Sequence, residues 1–526
     1  MSYTKKAKVE STSAVSLDRL SSLPPDIKVT ILSKLNVLDA IRTTILSRAW
    51  RNMWTTSPKI IVSDLYGISD FSEGTTARSK FVTLVDLALL LHNGPLVSFS
   101  IRCLRIYHDV FDRWMHMLSR KKPRSITIKF LWGDYYKIPS SIFSVINLDY
   151  LHLKRCIIHL PQEFEGFKRL TVLNLKYFSS TDSDINNLIS SCHLLNTLRL
   201  KYFEGISCLR IQAPHCSVYI SPAKTEEAAN WKNYLKQAFV SLTRIETLVI
   251  KRCIIGLPQE FEGFKQLTVL NLKYFSLTDR DIYKLISSCP WLNTLRLKYF
   301  EGISCLRIQA QTLQLLEVQG DFEDLHLHAP NLLYLTLGKT EAEQSDAVVG
   351  DKKNYLKQAF VSLTSIEELT ISGSFLTYLS EGCLLAEFPG VFDRLRKICI
   401  EQCSWVWTEV LGACSIFWNA PNFRELEIRS FYRDEEFGYQ PIWDNDQAEI
   451  EEPTLHHLVT VTISDFVGLE HEIALVGLLL RWSPALEELK IVREDGDVPN
   501  DECMFRALTK LLALPRASNK ATIIVI

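Results

Sequence analysis

Five pairs of positions along the middle of this 526-residue chain carry the side chains best suited to binding: Asn174/Lys176, Arg199/Lys201, Val249/Lys251, Asn271/Lys273 and Arg296/Lys298. Each pair alternates with, or directly follows, the apolar residues of a short recurring pattern, so on extended backbone it faces away from them. Neighbouring strands lie about 4.8 Å apart. Like charges stacked at that spacing repel, and an acidic segment or a phosphate relieves the repulsion. Lys176, Arg199, Lys201, Lys273, Arg296 and Lys298 are therefore the candidate binding residues. The competing reading is a solvated charged face, with Glu204 and Glu301 offsetting part of the charge.

The remaining chemistry-bearing groups do not assemble. Gly338-Lys339-Thr340 has the ending of a phosphate-binding loop, but Leu333 stands where the leading glycine belongs. His326 and His328 alternate along one strand face, within reach of a shared ion, while His456-His457 and His471 have no evident partners. All of these read as surface or capping histidines. No nucleophile, base and orienting group can be put together, so no catalytic residue, metal or cofactor is expected.

Composition narrows the partners. Lys plus Arg total 59 against Asp plus Glu at 60, and such a balance argues against a nucleic-acid or anionic-membrane binder. No stretch approaches the roughly 18 uninterrupted apolar residues of a membrane span, and the polar segment 1–16 lacks the apolar core of a signal peptide. Thirteen cysteines, an odd number, include no Cys-x-x-Cys pair, and the chain has no Asn-x-Ser/Thr acceptor. A reducing cytoplasmic or nuclear setting is the expectation. Lys5-Lys6-Ala7-Lys8 is either a short nuclear import signal or a solvated basic run.

Internal duplication dominates the centre. Lys154 to Ala213 recurs as Lys251 to Ala310 at an offset of 97 with eight differences. Lys232 to Thr243 then recurs as Lys353 to Thr364 at an offset of 121, so the first copy lacks one unit of 24 residues, running from about Gln311 to Ala329 and slightly beyond. A shorter pattern pervades the chain: apolar, two residues, apolar, one residue, apolar. Leu96/Phe99/Ile101, Leu170/Leu173/Leu175, Leu267/Leu270/Leu272, Phe423/Leu426/Ile428 and Leu486/Leu489/Ile491 are instances. It predicts short strands with buried alternate residues. Thr181 or Asp182 is positioned to cap a helix whose inward face is Ile185, Leu188, Ile189 and Cys192, and Thr278 begins its twin, which Pro290 ends.

Near the N-terminus, Pro24-Pro25 can open a helix on which Ile27, Ile31, Leu32 and Leu35 recur at helical spacing. Asp39 is a candidate cap for a second helix bearing Ile41 and Ile45, and Ser47 for a third bearing Trp50 and Trp54. The order Leu23-Pro24, Ile27, Ile31, Leu32, Leu35, Asp39-Ala40-Ile41-Arg42, Leu46-Ser47-Arg48 and Trp50 to Trp54 resembles an F-box. Lys28 stands where that family commonly has an apolar residue, Asn36 where proline is common, and Ala49 where a basic residue is common. The resemblance implies docking to a Skp-type adaptor, which bridges to a cullin and a RING protein. Leu23, Pro24, Ile27, Ile31, Leu32 and Leu35 are the implied adaptor contacts.

The apolar triplets resemble irregular leucine-rich repeats. From about Thr454, with Leu458/Val461/Ile463, Ile473, Val476 and Leu480, then Leu486/Leu489/Ile491, the chain resembles the FBD region that ends many plant F-box proteins. The expected fold is α/β, with parallel strands stacking into a solenoid of horseshoe or arc form. Its expected layout is a disordered tail (1–16), F-box (17–60), connecting helical segment (61–94), leucine-rich-repeat solenoid (95–430), acidic loop (431–453) and FBD cap (454–526). By resemblance the protein is a non-catalytic substrate-recognition subunit of an SCF-type ubiquitin ligase. Its alternative is a repeat scaffold or ligand sensor not coupled to ubiquitination.

Overall fold

The structure, a computed structural model, describes residues 19–64, 74–103, 107–207, 209, 216–222, 245–257, 261–339, 363–382, 392–404, 406–430, 453–493 and 501–526. The tail 1–16 with its basic run, nearly all of the acidic segment 431–453, and most of the recurrence at 232–243 and 353–364 lie outside the described residues. The chain forms two compact units, residues 1–180 with 191–194, and residues 181–190 with 195–526.

The first unit opens with helices α1 (Pro25–Leu32) and α2 (Val37–Arg42). Pro25 sits in the first turn of α1, where a missing amide hydrogen costs nothing. The second cap differs from expectation. Asn36, extended at ψ 158°, accepts the Asp39 amide at 2.9 Å and donates its own amide to the Asp39 carboxylate, so Asp39 lies inside the helix rather than capping it. The third helical stretch consists of short 3-10 turns, Thr43–Ile45, Arg48–Trp50 and Met53–Thr56, separated by extended Ser47 and by Asn52 at φ 62°. No Ser47 side-chain cap forms.

Next come strand β1 (Lys59–Ser63), helix α3 (Gly74–Leu91), β2 (Ser98–Cys103), helix α4 (His108–Lys121), β3 (Ser125–Phe130), β4 (Tyr136–Lys137), β5 (Tyr150–Ile158) and β6 (Val172–Ser180). The connecting segment 61–94 thus starts as strand, because Ile60 and Val62 supply the alternating apolar face that lets β1 pair with β2. β1, β2, β3, β5 and β6 form a parallel ladder in that order. Phe81, Tyr107, Phe111 and Trp114 fill the space beneath it, and the Trp114 indole donates to Asp86 at 2.8 Å.

The second unit begins with helix α5 (Asp182–Ser190), β7 (Thr197–Glu204), β8 (Ser217–Ser221), β9 (Thr247–Ile254), β10 (Val269–Ser276), α6 (Asp279–Ser287) and β11 (Thr294–Glu301). It continues through β12 (Cys305–Gln309), β13 (Leu315–Gln319), β14 (Asp324–His328), β15 (Tyr334–Gly338), β16 (Glu368–Ser372), α7 (Gly373–Gly382), β17 (Lys397–Cys403), α8 (Trp407–Trp418) and β18 (Glu425–Ser430). β19 (Thr460–Phe466), α9 (Glu470–Trp482), β20 (Glu488–Arg493), α10 (Asp501–Ala513) and β21 (Thr522–Val525) close it. The C-terminal strand, helix, strand reading therefore extends by a further helix and strand. β7 through β21 pair in parallel in chain order, except that β12 and β14 pair with each other as a separate two-stranded sheet.

The triplet residues behave as the pattern requires. Leu173, Leu175, Leu270, Leu272, Leu489 and Ile491 are fully buried, and each contributes about 1.5–3 kcal/mol by leaving water. The missing unit is visible too. The first copy runs β7, β8, β9, whereas the second inserts β13 between β11 and β15. Both backing helices form as predicted. Thr181 and Thr278 accept the Asp184 and Asp281 amides at 3.1 Å, which settles the first cap on Thr181.

Two of the later helices are tied down by buried carboxylates three residues past the cap. Glu472 accepts the amides of Val467, Gly468 and Leu469 and the Ser430 hydroxyl, and Glu409 accepts the Ser404 amide and the Cys403 thiol. At Gly412, α8 runs against α7 so closely that a Cβ would stand 2.2 Å from the Leu376 carbonyl oxygen. Gly412→Ala should therefore cost about 1–3 kcal/mol, read as a lower urea midpoint. Gly477→Ala, whose Cβ meets only the Leu514 side chain at 3.4 Å, should be neutral or stabilising.

His92 supplies a pH test. Its Nε2 donates to the Ser57 carbonyl at 2.8 Å, while Nδ1 is buried with no hydrogen-bond partner among the described residues. Burial lowers its pKa, the Ser57 bond opposes the shift, and Lys121 adds a smaller lowering. The unfolded imidazole takes up a proton more readily, so this contribution is present above about pH 6.5 and is lost as pH falls through the folded value. Wild type should melt lower at pH 5.5 than at pH 7.5, and His92→Gln should show a smaller drop.

Candidate functional site

Two surfaces carry the candidate residues. The first is the helical head of the first unit. Residues expected to share one face of α1 divide between two: Leu32 is buried at 1% exposure, as Val37, Ala40 and Trp50 of the head are also buried, whereas Ile27 and Ile31 stand 47% and 37% exposed. Pro24 is exposed, Leu23 is half-buried, and half-buried Leu35 lies beyond the end of the helix. Leu32 consequently holds the head together, and Pro24, Ile27 and Ile31 are left to offer apolar surface. Leu20, Ile45 and Leu46, which were not among the implied adaptor contacts, are also exposed at 54%, 84% and 58%.

Lys28 explains how the head tolerates a charge at a usually apolar position. It is buried, its ammonium donates to the Ser21 carbonyl at 2.8 Å, and it lies 5.8 Å from the centre of the Trp50 ring. Asn36 replaces proline with a side-chain cap. Ala49 is exposed and makes no contact that explains its identity.

The second surface is the outward face of the repeat strands. Arg155, Tyr177, Tyr202, Arg252, Tyr274 and Tyr299 all adopt left-handed backbone at φ 50–60°, each directly after the basic residue of its repeat. Such a residue costs about 1–2 kcal/mol and interrupts the strict alternation of the strand. The register shows the skip: Lys154 pairs with Lys176 and Cys156 with Phe178, passing over Arg155 and Tyr177. Two successive side chains thus face outward. Lysines and rings consequently lie side by side, with Lys273 5.1 Å from both Tyr274 and Tyr299, whose rings stack at 4.8 Å. The sequence carries this signal as a Lys-Tyr-Phe that breaks the apolar alternation.

The structure sorts the predicted basic residues by neighbour. Lys273 shares a registered row with Lys251 and Lys298. Arg296 and Lys298 both pair with Glu317 on β13, the strand that only the second copy contains. Arg199 instead lies 5.0 Å from the Tyr219 ring, and Lys201 is exposed beside it. Lys176 belongs to the first unit, where it falls in register with Lys154, Lys129 and Arg102. Those three were not among the predicted residues. Further along the second unit, charges of both signs neutralise one another, as in Lys397 with Glu427 at 2.9 Å and Arg429 with Asp465 at 3.7 Å.

Other candidates resolve into structural parts. Lys339, in the would-be phosphate loop, stands 3.5 Å over the Tyr378 ring at the end of β15, and Thr340 lies outside the described residues. His326 and His328 occupy β14. Among the described residues no three His, Cys, Asp or Glu side chains come together in a metal-holding group, and no helix is long and apolar enough to cross a membrane. Burial pushes the Cys192 thiol up to about 11 and Cys216 and Cys289 up to about 12, so these sulfurs stay protonated and unreactive near neutral pH.

Comparison with known proteins agrees with this division. Residues 20–61 match the F-box domain, and residues 111–230 match the leucine-rich repeats described for FBD-associated F-box protein At5g56370. Residues 240–506 match the leucine-rich-repeat domain of At1g61320/AtMIF1. F-box/FBD/LRR-repeat protein At1g13570 of Arabidopsis thaliana is 23% identical over 514 residues, covering 96% of this chain and 98% of its own. F-box/LRR-repeat protein 13 of the same plant is 23% identical over 526 residues, covering 97% and 96%. F-box/FBD/LRR-repeat protein At5g56420 is 28% identical over 208 residues, covering 38% and 47%. With one repeat model alone spanning just over half of the sequence and the head matched separately, the chain belongs to the F-box/FBD/LRR-repeat family of plant proteins.

Proposed function

We propose that this protein is the substrate-recognition subunit of an SCF-type ubiquitin ligase. Its head docks a Skp-type adaptor and, through it, a cullin and a RING protein, while the repeats hold the target within reach of the conjugating enzyme. Catalysis is then by proximity, which raises the effective concentration of target lysines without any catalytic group on this chain. The protein works where thiols stay reduced, in the cytoplasm or nucleus.

One observation carries the reading: Ile27 and Ile31, one turn apart on α1, are held outward by a head whose own core is complete without them. A small unit that has filled its interior with Leu32, Trp50 and Trp54 gains nothing by displaying isoleucines, whereas a partner that buries them gains about 1.5–3 kcal/mol for each. Basic residues on the repeats, Lys176, Arg199, Lys201, Lys273, Arg296 and Lys298, contribute the target-facing surface.

Ile27→Asp/Ile31→Asp should reduce capture of the purified adaptor by at least tenfold with no change in melting temperature. Leu32→Ala should lower the melting temperature and capture together. A wild-type protein that binds no Skp-type adaptor, or a double variant that binds as well as wild type, would refute the proposal.

A further inference from the structure

In the first unit, β2, β3, β5 and β6 place Arg102, Lys129, Lys154 and Lys176 at one registered position on four neighbouring strands. Three spacings of about 4.8 Å make a row of cations about 14 Å long. Arg155 adds a fifth cation beside the row, and the Tyr177 ring gathers Lys154, Arg155 and Lys176 at 5.6, 5.4 and 5.2 Å. Among the described residues no carboxylate pairs with Arg102, Lys129 or Lys154. Arg124 and Arg169, by contrast, share Asp149, which precedes the opposite end of β5.

Burial and mutual repulsion both act on the lysines of this row. Burial lowers the pKa of Lys129, with Arg102 and Lys176 adding to the shift. Lys154 is lowered by burial first and then by Lys176, Arg155, Lys129 and Arg102. Half-buried cations held side by side represent stability given up, and ligand-binding surfaces are where folds tolerate such a loss.

Alongside the cations runs a second registered row, Ser100, Thr127, His152 and Asn174, which holds no lysine, arginine or carboxylate and is rich in hydrogen-bonding groups. An extended peptide advances about 3.4 Å per residue, so side chains at i, i+2 and i+4 span about 14 Å, the length of the cationic row. We propose that this face of the first unit binds an extended acidic peptide segment of the target, with carboxylates at alternate positions on Arg102, Lys129, Lys154 and Lys176 and its backbone over the second row. The proposal deepens the reading of the repeats as target-binding and rests on it. Nucleic acid fits less well, because the neighbouring row carries no lysine or arginine and the chain's formal net charge is −1.

The full chain is titrated with a fluorescein-labelled decapeptide of alternating glutamate and serine, and anisotropy is read at low and high salt. Wild type should bind with an affinity that falls as salt rises. Lys129→Glu/Lys154→Glu should weaken binding at least tenfold, while Lys80→Glu/Arg120→Glu, equal in charge but on exposed helical positions, should stay within twofold of wild type. Lys129→Gln/Lys154→Gln guards against misfolding: it should melt at or above the wild-type temperature and still bind at least threefold more weakly.

Unchanged binding in either lysine variant, or tighter binding of a uridylate decamer than of the peptide, would overturn the proposal. Adaptor capture is scored on the same samples. Capture without peptide binding fails this surface alone, and peptide binding without capture fails the ligase reading alone.

Discussion

Parallel pairing in register is the constraint on which the rest of this protein depends. It sets equivalent residues of successive repeats about 4.8 Å apart, so whatever a repeat carries at one position becomes a column. Inward, the columns are Leu, Ile and Phe, and their burial supplies the core. Outward, the same geometry stacks lysine on lysine whether or not the energetics favour it. A single exposed lysine is unremarkable, but Lys129 between Arg102 and Lys154 is a consequence of register.

The left-handed residue after Lys154, Lys176, Lys201, Lys251, Lys273 and Lys298 sharpens this effect. By interrupting the alternation it turns a second side chain outward, and the second is often tyrosine. Rings then lie against ammonium groups, which spreads the charge without cancelling it. Cancellation occurs only where a carboxylate enters the column. Glu317 does this for Arg296 and Lys298 on the extra strand of the second copy, while Arg199 of the first copy meets Tyr219 at the equivalent neighbour. Near-identical sequences thus acquire different electrostatic surroundings from the presence or absence of one repeat.

The head obeys a different logic, since a short helical unit has little interior to fill. Trp50, Trp54 and Leu32 use most of it, and Lys28 enters because its stem packs while its ammonium reaches the Ser21 carbonyl and the Trp50 ring. What remains apolar must stay outside. The exposed isoleucines of α1 therefore follow from a space limit as much as from the helical pattern.

The sequence by itself determined the repeat positions, the buried triplets, the Thr278 cap and the helical nature of the head, because each depends on local spacing or on a residue and its near neighbours. It did not separate Leu32 from Ile27 and Ile31, since helical periodicity says which residues are neighbours but not which side the rest of the chain covers. It also left β1, β3 and β8 unmarked, because Ser57, Pro123 and His215 stand at the leading position of the triplet. The row of Arg102, Lys129, Lys154 and Lys176 was decided by tertiary structure alone. Its members stand 22 to 27 residues apart in intervals that vary with each loop, and only the hydrogen-bonded register of four strands brings them to one line.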